Sequence, residues 1–376
     1  MVKNLKLFIC VIVLAAVSSP GCAPAAVEEM TTTDGDSGGT PNYRVDPFWP
    51  KPLPNDWLIG EVAGVAVDSR DHIWITQRPG SLTPDELGAA QDPPLSICCQ
   101  SAPPVMEFDA EGNYVQGWGG AGEGYEWPAN EHGIFVDYKD NVWIGGNGPD
   151  DHQVLKFTRD GNFLLQIGQA GKTEGSNHTE YLGRPADIYV DSQDNEVWVA
   201  DGYLNKRVIV FDADTGAYKR HWGAYGEEPD DADPGAYDPD SPVAKQFRSP
   251  VHSVVISNDN LVYVADRVNN RIQVFLKDGT YVKEVFINKR TLGAGSTWDL
   301  DLSPDAQQVY LYNADGTNQQ VWMLMRDELT ILGAFGRRGR MAGQFHWVHN
   351  VAVDSQGNIY TGEVNQGRRT QKFVLQ

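Results

Sequence analysis

Short runs of alternating apolar and polar residues recur along this chain, and no stretch keeps a helical period. Each run is rich in β-branched and aromatic residues, which suit half-buried strands. One unit is especially clear from Ala186 to Gly226, ADIYVDSQDNEVWVADGYLNKRVIVFDADTGAYKRHWGAYG. It reads as an apolar strand ending in Asp, a polar turn, a second strand, a loop, a third strand, and a Gly-containing turn into a fourth. A second copy runs from Val251 to Phe286, and others start near Gly64, His132, Trp298 and His349. Asp-Gly, Gln-Gly and Glu-Gly pairs fall at the expected hairpin turns. Six four-stranded units of about forty residues predict an all-β fold, a six-bladed β-propeller. The last unit stops one strand short, and the segment from Tyr43 to Trp49 is placed to supply it and close the ring.

Insertions interrupt the pattern at 79–102 and 227–247, the second strongly acidic. Both are loop candidates beside a functional mouth, and both also fit ordinary surface elaboration. Ahead of the repeats, Lys3 and Lys6 flank the start of an apolar stretch from Leu7 to Val17, followed by Ser19-Pro20-Gly21-Cys22. Residues 1–22 read as a signal peptide, too short for a comfortable membrane span. A small residue before Cys22 resembles a bacterial lipobox, which predicts lipidation at Cys22. The expected location is periplasmic or anchored to the outer membrane by lipid, with plain secretion as the alternative. Residues 23–42 read as a flexible tether, leaving 43–376 for the propeller.

The formal net charge of −21 offers no basic footprint for nucleic acid. Outside the leader only Cys98 and Cys99 remain, which excludes a cysteine zinc site and permits a disulfide between neighbours.

Aligning the first strand of each unit on its closing Asp68, Asp137, Asp191, Ser257, Ser303 or Asp354 exposes a further pattern. Five residues earlier stand Ala63, His132, Ala186, His252, Trp298 and His349. Histidine occupies every second unit. In a six-fold ring such residues stand about 120° apart at one height on the channel-lining strands. Three imidazoles with an open fourth position suit a catalytic zinc ion. Each alone also fits a satisfied core residue; the other five, His72, His152, His178, His221 and His346, follow no such register. Arg78, Tyr203 and Arg267 end the second strands or open the loops after them, at the same mouth. Arginine suits a carboxylate, and a tyrosine beside cations suits a proton acceptor, though each residue also fits a packing role.

The stretches GVAVDSRDHIWITQR, HGIFVD, VADGYLNKRVIVF, HSVVISNDNLVYVADRVNNRIQVF and HNVAVD resemble NHL-type propellers, and more specifically the peptidyl-α-hydroxyglycine α-amidating lyase (peptidylamidoglycolate lyase) family, over roughly residues 60–376. The resemblance implies zinc on His132, His252 and His349, with Arg78 and Tyr203 catalytic and Arg267 binding substrate. It implies a structural calcium on the carbonyls of Val65 and Ile134. The family's acidic calcium ligand falls on Asn350, where an amide replaces the carboxylate. The family's hydroxylase domain is absent from this chain, and Leu204 stands where animal enzymes carry a cysteine. The implied reaction cleaves a small-molecule or peptide substrate ending in an α-hydroxyglycine-like group to an amide and glyoxylate. The chain is expected to act as a monomer, touching membrane only through a lipid anchor. Two alternatives stay open. One is a lactonase-like metal hydrolase, for which Asp187 and Asp299 are candidate acids; the other is a non-enzymatic binding scaffold.

Overall fold

The computed structural model describes residues 39–376. The leader and Cys22 lie outside the described residues, as does most of the 23–42 segment. Six four-stranded antiparallel sheets form the six blades of a β-propeller. The innermost strands, in blade order, are Glu61–Val67, Glu131–Val136, Asp187–Asp191, Val251–Ile256, Asp299–Leu302 and Val348–Val353. The ring closes as expected: Tyr43–Asp46 pairs with Arg369–Leu375 as the outer strand of blade six, Tyr43 opposite Leu375 and Val45 opposite Phe373.

The residue that ends each inner strand explains the repeat. Asp68 accepts the backbone N–H groups of Arg70 and His72 at 2.9 and 3.0 Å, which closes the hairpin turn. Its other oxygen takes the Trp74 indole N–H at 3.1 Å. Asp137 does the same for Trp143, and Asp354 for the Tyr360 hydroxyl. One buried carboxyl thus satisfies the turn and pins the aromatic ring that packs between blades. Trp74 and Trp143 are fully buried in such interblade cores; Trp198 is equally buried but its indole N–H is not held by Asp191, which bonds Lys277 instead.

A second device closes the other end of the blades. Asp201, at the end of the second strand of blade three, accepts from Gly183 N, Asn205 Nδ2 and Arg207 Nε at 2.7, 2.7 and 2.9 Å. Asp266 in blade four takes Asn269 Nδ2 and Arg271 Nε, both at 2.7 Å. These ion pairs are wholly buried. The acid and the arginine fix both ends of a tight loop, so the residue between them, Tyr203 or Arg267, is offered at the mouth.

Both insertions begin or end on this mouth face, since 79–102 follows the second strand of blade one and 227–247 precedes the inner strand of blade four. The first carries a short parallel pair, Trp57–Leu58 with Gln100–Ser101, and a bond between Cys98 and Cys99. Among the described residues no helix is long and apolar enough to cross a membrane.

Candidate metal centre

His132, His252 and His349 converge in the channel, with ring centroids 4.7 to 5.1 Å apart. One nitrogen from each ring lies within 4.8 Å of the other two. Each is held from the neighbouring blade. His132 Nδ1 meets the carbonyl of Ala186 at 2.6 Å, and His252 Nδ1 meets the carbonyl of Trp298. His349 Nδ1 meets Asn350 Oδ1 at 2.7 Å and also the backbone of Ala63. Ala63, Ala186 and Trp298 are the residues aligned with the histidines in the odd blades. The alternation therefore has a structural meaning: even blades supply imidazoles, and odd blades supply the carbonyls that orient them. A proton on Nδ1 leaves Nε2 as a free lone pair. All three rings are buried, and burial first holds them neutral, aided by the charge of Arg267 on all three, of Arg78 on His132 and His349, and by neighbouring rings on His132 and His252. His349 is pushed down to about 3. Neutral, oriented, converging imidazoles are a donor set that fits zinc.

Glycine makes this approach feasible. A Cβ on Gly133 would stand 2.7 Å from the Ala186 carbonyl that orients His132. On Gly202, the residue before Tyr203, it would stand 1.9 Å from the carbonyl of Val251, at the start of the His252 strand.

Tyr203 enters from above. Its hydroxyl lies 2.9 Å from His132 Nε2, 3.1 Å from His252 Nε2 and 3.2 Å from Arg267 Nη1. Arg267 stacks on the Trp298 ring at 4.4 Å, and its buried Nε has no hydrogen-bond partner. Arg78 does not reach the phenol. It donates to Glu61 Oε2 at 2.7 Å, to the Glu131 carbonyl at 2.8 Å and to Asn147 Oδ1 at 3.3 Å. Its charge still disfavours protonation of His349 and His132. The structure thus brings the six residues expected for zinc, catalysis and substrate binding to one mouth, and it is Arg267 that contacts the phenol. Sequence reasoning missed Glu61 and Asn147, which hold Arg78. It also missed Arg184, whose guanidinium sits over the Tyr203 ring at 5.8 Å. The aligned position had marked Trp298 only as a break in the histidine pattern.

Below the histidines the channel holds a cavity of 170 Å³ lined by Val65, Ile134, Asp187, Asp299 and Asp301 among others. Asn350 does not line it. The Asn350 amide oxygen is engaged by His349, and its Nδ2 faces Asp299 at 3.3 Å. Val65 and Ile134, two of the three residues expected to hold calcium, line this cavity, while the Asn350 amide oxygen is engaged by His349, and nothing below depends on that ion. The acids serve the ring instead: Asp187, Asp299 and Asp301 accept the backbone N–H groups of Val254, Val351 and Val353 in the next blade. Burial raises all three carboxyls, Asp301 to about 7 and Asp299 to about 6. A separate cluster of Asp68, His72 and Glu107 is occupied by the Arg159 guanidinium, which bonds both acids.

Comparison with known proteins agrees with this architecture. The NHL repeat model matches residues 182–211 and 251–275. Human NHL repeat-containing protein 3 is 30% identical over 350 residues, covering 88% of this chain and 84% of the human one. A probable peptidyl-alpha-hydroxyglycine alpha-amidating lyase of Caenorhabditis elegans is 26% identical over 331 residues, covering 82% and 81%. A streptogramin B lyase structure aligns with a TM-score of 0.52 at 13% identity, covering 89% of this chain and 98% of that one, a likeness of fold alone. The blade repeat, the ring of six and the human relative together establish that this chain belongs to the NHL repeat family.

Proposed function

We propose that the channel mouth is the active site of a zinc-dependent lyase that cleaves an N-acyl or peptidyl α-hydroxyglycine, R–CO–NH–CH(OH)–COO⁻, to R–CO–NH₂ and glyoxylate. The observation that carries this reading is the Tyr203 hydroxyl, set between two neutral imidazoles and a guanidinium. The lyase relative supports it by name. Zinc on His132, His252 and His349 would supply Lewis acidity toward the substrate oxygens.

The protein's own groups account for the rest. Tyr203 Oη takes the proton of the substrate hydroxyl, with Arg267 Nη1 donating to that oxygen from 3.2 Å away. As the carbon–oxygen double bond forms, the carbon–nitrogen bond breaks and its electron pair goes to nitrogen. Tyr203 returns the proton there, so atoms and charge balance without a redox partner. The unpartnered Nε of Arg267 is a donor waiting for an acceptor, and a substrate carboxylate provides one. Trp298 fixes the plane of that guanidinium. Arg78, braced by Glu61 and Asn147, adds positive charge where the carboxylate would sit.

Zinc-loaded protein incubated with an N-acyl-α-hydroxyglycine is expected to release glyoxylate. No release above background, with zinc shown to be bound, overturns the reading. One second reading has support, the binding scaffold, because the human relative's name carries no activity. A scaffold would purify without stoichiometric zinc. The lactonase-like hydrolase is less favoured, since the carboxyls of Asp187 and Asp299 are already taken by backbone N–H groups.

A further inference from the structure

We propose that Arg184 is a further catalytic residue of this site: its guanidinium donates to the acyl oxygen of the substrate and stabilises the negative charge that the departing amide develops. This rests on the lyase reading above.

Arg184 stands in the loop ahead of the inner strand of blade three, and its backbone is locked to the loop that carries Tyr203. The Tyr203 N–H bonds the Arg184 carbonyl at 3.2 Å, and the Leu204 N–H bonds the Gly183 carbonyl at 2.9 Å. The Arg184 guanidinium lies 5.8 Å from the centre of the Tyr203 ring, and that of Arg267 lies at 5.6 Å. Nε of Arg184 donates to the Asn147 carbonyl at 2.8 Å, and Nη2 donates to the same oxygen. Among the described residues nothing accepts from Nη1, and no carboxylate pairs with the group. A neutral carbonyl fixes the fork without cancelling its charge. A whole positive charge and a donor with no partner therefore stand beside the phenol. Asn147 also bonds Arg78 through its side chain, at 3.3 Å, so one residue holds two of the guanidiniums at this mouth.

The backbone at Arg184 is left-handed, with φ of 61°. Asparagine and aspartate tolerate that region best, and they make up most of the other non-glycine positions with positive φ among the described residues. Arginine holds this place against the local preference, which is a mark of a side chain kept for what it does.

The reaction has a use for it. As the hydroxyl proton leaves for Tyr203, the carbonyl of glyoxylate forms and the carbon–nitrogen electron pair passes to nitrogen. That pair is shared with the acyl oxygen until nitrogen takes the proton back from Tyr203. The nitrogen has to come within reach of Tyr203 Oη for this return, which brings the acyl oxygen on its neighbouring carbon to the same place. Arg267 is engaged with the carboxylate, and Arg184 is the cation left for the acyl oxygen. A cavity of 680 Å³ opens beside Tyr203, walled by residues between 231 and 237 of the insertion, with room for the rest of the acyl group.

The test is Arg184→Asn, which suits the backbone and removes the guanidinium. Single-turnover rates are compared for N-(4-methoxybenzoyl)-, N-benzoyl- and N-(4-nitrobenzoyl)-α-hydroxyglycine. The variant is expected to keep its zinc and to lose about 10²-fold with methoxy but only about tenfold with nitro, because nitro withdraws the charge that arginine no longer takes. Arg184→Lys keeps a cation and should show a spread between wild type and Arg184→Asn; it carries the same test if the asparagine variant does not fold. An equal loss across the series marks a structural prop and overturns the proposal, as does no loss. If no substrate yields glyoxylate with zinc bound, the lyase reading has failed, and calorimetry with 3-benzoylpropanoate and 4-phenylbutanoate still tests Arg184. The acyl oxygen is present in the first and missing from the second. Wild type is expected to favour the first by about tenfold, and Arg184→Asn to bind both alike. No preference in wild type, or one that the substitution leaves unchanged, overturns the assignment.

Discussion

The channel contains two neighbouring layers of titratable groups that burial treats in opposite ways. In the upper layer, desolvation drives His132, His252 and His349 down, so the rings are uncharged bases. One residue along the inner strands, the same desolvation drives Asp187 and Asp299 up, and Asp301 two residues further on follows. Both layers stitch blade to blade, the imidazoles by donating to carbonyls and the carboxyls by accepting from N–H groups. In the upper layer the stitching uses Nδ1 and leaves the Nε2 atoms of His132 and His252 facing the Tyr203 hydroxyl at the channel mouth. The difference teaches that burying ionisable groups on a propeller axis does not by itself make a metal site. What counts is which atoms the stitching consumes.

The largest test removes one upper-layer ligand. His252→Ala is expected to abolish stoichiometric zinc and reduce glyoxylate release to background, while the fold survives, because alanine occupies the aligned position in blades one and three. Asp187→Asn, in the lower layer, is expected to keep its zinc by elemental analysis. If both variants lose metal alike, the two layers are one site.

Next in size is Tyr203→Phe. It should retain zinc and lose about 10²- to 10⁴-fold in kcat, the usual range for removing a proton-transfer group. Retained activity would return the role of base to another residue.

Arg207→Met attacks the support and leaves the chemistry in place. It strands the buried Asp201 carboxylate, with an expected cost of about 3–5 kcal/mol in denaturant unfolding. Tyr203 sits on the loop that this pair closes, so activity should fall before the ring unfolds.

The smallest effect concerns the lower layer alone. Asp301 is raised to about 7 in the folded state from an ordinary value of 3.8, so the folded protein holds that proton more tightly than the unfolded chain. Its contribution favours folding at low pH and is lost as pH rises from about 4 to about 7, at no more than about 1.4 kcal/mol per pH unit. Asp301→Asn should flatten the thermal-stability profile across that window and leave zinc content untouched.

Much of this was legible in the sequence. The inner-strand Asp, its turn and the aromatic two strand positions into the next strand recur visibly because one carboxyl has to satisfy both. The histidine register followed from aligning on that carboxyl. The partners of the imidazoles were not legible, because a backbone carbonyl leaves no trace in residue type. Ala186 orients His132 by an atom every residue has. Nor did spacing show which arginine touches Tyr203. Arg78 and Arg267 occupy equivalent positions, but Glu61 draws the first aside while Trp298 carries the second over the phenol. The acidic insertion was visible as composition, and its place as a wall beside Tyr203 required the fold.

Closure of the ring by Tyr43–Asp46 against Arg369–Leu375 also sets an order of events during synthesis. The first-made strand of the propeller waits for the last-made one. His349 belongs to that same final blade, so the third imidazole arrives only as the clasp becomes available. A chain cut short within blade six would lack its closing partner, and one cut before it would also lack a vertex of the triad. Coordination of a metal ion by all three imidazoles would therefore require blade six to be in place.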